Sequence, residues 1–207
     1  GHSTQRITNL VFMGMGEPLL NYDAVMTAVD IMTHEKTGGL AHSHMTLSTV
    51  GLVDGIRRMA DEERKIKLAV SLHATTDEFR RRLMPINKKW PLLDIMDAVE
   101  YYYRRTRRRV TYEYILFDGI NDGDDDIRRL VKLTRRVPSK VNIIPFHPID
   151  NAWPDGAPLD LAPTPRDRME TFAQQLRAQN VTVMFRSSSG KDIDAACGQL
   201  AVRHGEG

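Results

Sequence analysis

Val110-Thr111-Tyr112-Glu113-Tyr114-Ile115-Leu116-Phe117, then Asp124 to Arg136, then Val141-Asn142-Ile143-Ile144-Pro145-Phe146 is the stretch on which the fold turns. The outer pieces are short, rich in β-branched and aromatic residues, and bounded by turn or charged residues, as strands are. The middle piece is amphipathic and opens on aspartates, which favour a helix amino terminus. Strand, helix, strand in this order predicts a parallel pair joined by a crossover helix. The alternation extends in both directions. Ile7 to Met13, Met45 to Val50, Ile66 to Leu72 and Val181 to Phe185 read as further strands. Tyr22 to His34, Leu52 to Glu62, Asp77 to Leu83, Leu92 to Arg105 and Pro165 to Asn180 read as helices. The strands read as continuous apolar runs, which suits burial on both faces. The expected fold class is therefore α/β, and between an open doubly wound sheet and a barrel, a partial (β/α) barrel of parallel strands is favoured. Because the first legible element is a strand with no helix before it, the barrel is expected to lack its first β/α unit.

With 41% hydrophobic and 27% charged residues, the 207-residue chain has an ordinary globular composition, enough for one domain with its own core. Residues 7–203 are assigned to that domain. Residues 1–6 are assigned to a tag or linker remnant, since Gly1-His2-Ser3 resembles what an expression tag leaves behind. No apolar run approaches membrane-spanning length and Gly1 to Gln5 lacks signal-peptide character, so no membrane partner and a cytoplasmic location are expected. The formal charge of +2 is too small to identify a nucleic-acid partner by itself. A single cysteine, Cys197, excludes an internal disulfide and any cysteine-based metal site built from this chain alone. Pro148 to Pro165 holds half of the ten prolines and is too long for a simple connection; it either covers a site or is a stiff surface loop.

In parallel α/β folds ligands bind at the carboxyl ends of the strands. Those ends read Met13-Gly14-Met15-Gly16-Glu17-Pro18, Ser48-Thr49-Val50-Gly51, Ser71-Leu72-His73-Ala74 and Pro145-Phe146-His147-Pro148. The glycines would let backbone approach a ligand, and Glu17 could accept hydrogen bonds from a ligand ammonium. The spacing matches neither the dinucleotide nor the phosphate-loop fingerprint, and a plain strand-to-helix turn competes with the ligand reading. His73 and His147 are read equally as buried structural histidines or as ligand contacts. A zinc site of Glu17, His73 and His147 is a distant alternative, since no close ligand pair such as His-x-His is present. The clusters Arg80 to Arg82, Lys88-Lys89-Trp90 and Arg104 to Arg109, with Tyr101 to Tyr103, could meet phosphates and bases or could be solvated helix faces.

The order and wording of these strand ends, with Pro85-Ile86-Asn87-Lys88-Lys89 and Asp192-Ile193-Asp194-Ala195-Ala196-Cys197-Gly198-Gln199-Leu200, resemble the radical S-adenosylmethionine (SAM) methyltransferases that modify C2 of an adenosine in 23S rRNA and tRNA. The resemblance runs from about Ile7 to about Val202. It implies that Gly16 and Glu17 hold the amino end of SAM, that Ser48, Ser71, Leu72 and His73 contact the rest, and that Cys197 is the methyl carrier. His147 stands where that family usually has Asn and would also touch SAM. The resemblance further implies a 4Fe-4S cluster in the full-length protein, held by a Cys-x-x-x-Cys-x-x-Cys motif absent from this chain, so that this piece alone is inactive. It implies 23S rRNA, tRNA and a reductant protein such as flavodoxin as partners. Similar antibiotic-resistance enzymes that methylate C8 of the same adenosine share much of the wording, and a non-catalytic RNA-binding fragment is the alternative of a different class.

Overall fold

The computed structural model describes residues 7–14, 16–147 and 160–186. Among them six strands form one sheet: β1 (Leu10–Phe12), β2 (Met45–Thr49), β3 (Lys67–Ser71), β4 (Val110–Leu116), β5 (Ser139–Pro145) and β6 (Val183–Phe185). Helix α1 (Tyr22–Thr33) follows β1, α2 (Val53–Asp61) follows β2, and both α3 (Asp77–Leu83) and α4 (Leu92–Thr106) lie between β3 and β4. Helix α5 (Asp124–Thr134) joins β4 to β5, and α6 (Arg166–Ala178) precedes β6. Every adjacent pair is parallel and spatial order equals chain order. A doubly wound sheet reverses direction at a switch point; this one never does, and single winding is the topology of a barrel. Among the described residues β1 and β6 each pair on one side only, so the barrel is partial.

The core lies between the sheet and the helices. Leu47, Leu68, Val70, Tyr112, Tyr114, Val141 and Ile143 are fully buried and join Met26, Ile56, Met59, Ile95, Val99, Leu130 and Phe172 of the helices in one cluster. The Tyr114 ring stacks on Phe172 of α6 with centroids 6.0 Å apart. Each such aliphatic side chain contributes roughly 1.5–3 kcal/mol by leaving water. Side chains alternate along a strand, so the positions between these, Thr46, Ser48, Ser71, Thr111, Glu113, Lys140 and Asn142, stand on the concave face. The expectation of strands apolar on both faces is thus corrected. Single Ser, Thr and Glu residues between apolar neighbours mark an alternation whose inner side is polar.

The edge strands are shorter than expected, Leu10–Phe12 against Ile7 to Met13 and Val183–Phe185 against Val181 to Phe185. Each edge strand pairs along one side only, over three residues of a longer neighbour. Helix α3 is capped by Thr76, whose hydroxyl accepts the Phe79 N–H at 3.4 Å, and a 3-10 turn at Pro85–Lys88 leads into α4. Of the long loop expected from Pro148 to Pro165, residues 148–159 lie outside the described residues. Its returning end runs beside the exit of β4, where the Asp118 N–H donates to Ala162 O at 3.0 Å.

Candidate functional site

At the exit of β1, Gly14 (φ 125°) and Gly16 (φ 86°) adopt conformations that an L side chain resists. A Cβ built at either glycine would meet nothing within 4 Å, so backbone geometry rather than packing requires glycine, and the space beside it is open. Glu17 follows. Its Oε1 accepts the Leu19 N–H at 3.1 Å and its Oε2 accepts the Val50 N–H at 2.8 Å, tying the exit of β1 to that of β2. Each carboxylate oxygen keeps a further lone pair for a ligand donor.

At the exit of β3 the backbone is bent sharply, with His73 at φ 50° in the left-handed region. Such strain persists only where the surroundings over-determine it, and here they do. The His73 N–H donates to Glu113 O at 3.2 Å, and its carbonyl accepts from Asn121 Nδ2 at 3.0 Å. Its Nδ1 accepts the Ile115 N–H at 3.2 Å, which leaves the proton of the neutral ring on Nε2. Burial, with the positive charge of Arg80 as a second cause, pushes this imidazole down to about 3. It is therefore a neutral hydrogen-bond donor at physiological pH.

Arg80 of α3 is fully buried against the same strand ends. Its Nε donates to Leu72 O at 3.0 Å, and its Nη2 donates to Val50 O at 2.6 Å and Ser71 O at 2.9 Å. Burial lowers it to about 10, leaving it a cation at neutral pH, with nearby Asp77 acting in the opposite direction. The reading of Arg80 to Arg82 as one nucleic-acid cluster is thereby corrected: Arg80 is an internal brace, while Arg81 and Arg82 are exposed. Nothing in three consecutive arginines distinguishes the first. Asn121 was also missed, because Gly-Ile-Asn-Asp reads as an ordinary turn, yet it is buried and its Oδ1 accepts the Phe117 N–H at 2.7 Å.

Of the other expected site residues, Ser48 and Ser71 stand half-buried on the concave face, and neither hydroxyl has a hydrogen-bond partner among the described residues. The Leu72 side chain is in the core, its N–H is taken by Glu113 O, and its carbonyl accepts from Arg80 Nε. His147 is half-buried just beyond β5, next to Phe146, whose ring packs on Phe117 at 4.9 Å. Cys197 lies outside the described residues. Beneath the mouth, Glu113 is buried on the concave face with its Oε2 accepting from Asn142 Nδ2 at 2.9 Å. Burial raises its carboxyl above the ordinary range, with the Asn142 hydrogen bond opposing.

The chemistry of these donors and acceptors fits SAM: open space beside two glycines, a carboxylate with spare lone pairs for an ammonium, two hydroxyls without partners among the described residues and a neutral imidazole donor. A 4Fe-4S cluster does not fit, because one cysteine cannot supply three thiolates. Among the described residues no group of three His, Cys, Asp or Glu side chains is placed to hold a metal ion, so Glu17, His73 and His147 are not gathered as the zinc alternative requires.

A singly wound parallel partial barrel with glycines, a carboxylate and, among the described residues, unpartnered hydroxyls at its strand ends is an enzyme scaffold of the (β/α) class. Residues 2–131 match the family model of the Radical SAM superfamily, and the chain belongs to that superfamily. It is 46% identical over 202 residues to a probable dual-specificity RNA methyltransferase RlmN of Salinibacter ruber, covering 97% of this chain and 53% of that protein. A protein of the same description from Thermus thermophilus is 46% identical over 203 residues, covering 98% and 55%. Among solved structures, a radical SAM methyltransferase from Sphaerobacter thermophilus is 41% identical with a TM-score of 0.86, covering 94% of this chain and 55% of that one. A domain of a pyruvate-formate lyase-activating enzyme from Bacteroides vulgatus, 16% identical with a TM-score of 0.62 over 87% of this chain and 100% of that one, shares the fold. The chain spans about half the length of the curated relatives it matches.

Proposed function

We propose that this chain is the SAM-binding barrel of an RNA methyltransferase that transfers a methyl group to C2 of an adenosine in 23S rRNA and tRNA. The observation that carries the reading is 46% identity across 97% of the chain to a protein described as a dual-specificity RNA methyltransferase. When bound, SAM supplies the methyl group and, with a 4Fe-4S cluster, the radical chemistry that an electron-poor ring carbon demands. The protein's part is to bind and orient. Glu17 pairs the ammonium, the Gly14 to Gly16 turn lets backbone approach the ligand, and Ser48 and Ser71 offer hydroxyls from the concave face. His73, neutral and donating through Nε2, adds a hydrogen bond without placing a second positive charge beside the sulfonium. His147 supplies a further polar contact from the exit of β5, and Cys197 is the methyl-carrying thiol. Cluster, RNA substrates and a reductant such as flavodoxin belong to the whole enzyme, whose activity is cytoplasmic. Among the described residues no helix is long and apolar enough to cross a membrane.

Calorimetric titration of SAM into the chain tests the site. Glu17→Gln retains a carbonyl acceptor but removes the charge, and is expected to weaken SAM about tenfold or more, the range for a charge-assisted hydrogen bond. A variant that binds as tightly as the parent removes Glu17 from the site. Independently, the cluster-containing enzyme should carry a methyl group on Cys197 by mass spectrometry, and Cys197→Ala should transfer none to RNA.

A further inference from the structure

The sequence offers several basic clusters, and the fold separates them. Arg81 and Arg82 on α3, Lys88 at the end of the 3-10 turn, and Lys89 just after it lie on the excursion between β3 and α4. That excursion sits on the carboxyl ends of the strands, because the buried Arg80 one residue away is hydrogen-bonded to the carbonyls of Val50, Ser71 and Leu72. All four cations are exposed. Arg81, Arg82 and Lys88 have no ion-pair partner among the described residues, and Lys89 has only a 3.8 Å approach to Asp54. The Lys89 ammonium lies 4.5 Å from the ring centroid of the partly buried Trp90.

Arg104 to Arg109 are placed differently. They occupy the last turn of α4 and the link to the amino end of β4, roughly 20 Å from the mouth by the rise of a 15-residue helix. Most of them are already engaged. Arg104 pairs with Glu100, Arg105 pairs with Glu63 at 3.2 Å, and Arg107 packs over Tyr103. Arg109 donates to Ser139 O at 2.9 Å and to Thr182 Oγ1 at 2.7 Å.

We infer that the rim formed by Arg81, Arg82, Lys88 and Lys89 is the surface that takes the phosphodiester backbone of the RNA, and that the Arg104 to Arg109 cluster does not. The inference rests on the RNA-methyltransferase reading and adds to it the face from which the substrate enters. Cations without internal partners repel one another and are relieved by a polyanion, whereas ion-paired cations have little to gain. Their position beside the exit of β3 brings a bound strand to the mouth where Ser71 and His73 stand. The Arg80 brace fastens α3, which carries Arg81 and Arg82, to the strand ends where the cofactor site is proposed.

The test is fluorescence anisotropy of a labelled RNA hairpin carrying an unpaired adenosine, titrated with the chain across a KCl series, with SAM binding measured in parallel. Arg81→Gln/Arg82→Gln and Lys88→Gln/Lys89→Gln are each expected to weaken the hairpin about tenfold. Each should also reduce the slope of log affinity against log salt by about 1.5–2, with SAM affinity unchanged. Arg104→Gln/Arg105→Gln should stay within about twofold of the parent in both respects. Rim variants that match the parent, or a distal pair that loses as much as the rim, would overturn the inference. So would rim variants that keep the RNA slope but lose binding to an acidic flavoprotein, which reassigns the surface to the reductant. Hairpin binding indifferent to the rim sinks the inference alone; failure of the parent to bind the hairpin sinks the RNA reading as well.

Discussion

His73 shows how much chemistry one residue takes from its surroundings. Its imidazole is driven down to about 3 by burial and by Arg80, while the unfolded chain titrates near the ordinary value of 6.5. Between those values the unfolded state binds a proton that the native state refuses, so stability is full above pH 6.5 and falls as pH is lowered toward 3. The loss attributable to this ring approaches about 1.4 kcal/mol per pH unit inside that window. Urea unfolding midpoints measured from about pH 7 to about pH 4 should fall less steeply for His73→Gln than for the parent. Parallel pH profiles for the two proteins would mean that the imidazole is not held neutral. A histidine at the end of an apolar strand was legible as either structural or ligand-binding, and its internal hydrogen bonds give it the structural part. The sequence could not show this, because the groups that hold it, Ile115, Asn121 and Glu113, come from another strand and the turn after it.

Glycines at the strand exits look alike in sequence and differ in what surrounds them. Gly51 has φ 102°, and a Cβ there would come within 2.8 Å of Ile95 Cδ1 on α4; Gly16 has φ 86° and faces open space. Gly51→Ala therefore combines backbone strain with overpacking and should cost roughly 2–4 kcal/mol in chemical denaturation. Gly16→Ala should cost about 1–2 kcal/mol, from strain alone, and be felt mainly as weaker SAM binding. Equal losses of stability at the two positions would show that the exit of β1 is packed rather than open. The elements themselves were well marked by local signals, such as the aspartates opening α5 and Pro165 ahead of α6. What escaped was the shortness of β1, which stops just before the positive-φ glycines of its exit, and the burial of Arg80, which depends on where α3 docks.

Across the described sheet the apolar side carries stability and the polar side carries the proposed site, often on adjacent residues. Leu47 is fully buried under the helices and Ser48 faces the concavity. Leu47→Ala should cost about 2–5 kcal/mol, whereas Ser48→Ala should change stability by less than about 0.5 kcal/mol while weakening SAM. Calorimetry on both variants checks this division, and a large loss of stability in Ser48→Ala would refute it. The parallel α/β architecture was readable from alternating periods, but the inner polar face was not, since Thr and Ser inside apolar runs do not announce which side they take. The singly wound order has a further consequence, in time rather than in space. Each strand from β2 onward finds its first partner in the strand made just before it, never in one still to come. As the chain leaves the ribosome, the sheet can grow at one edge in the order of synthesis, and no strand need wait unpaired for a distant mate.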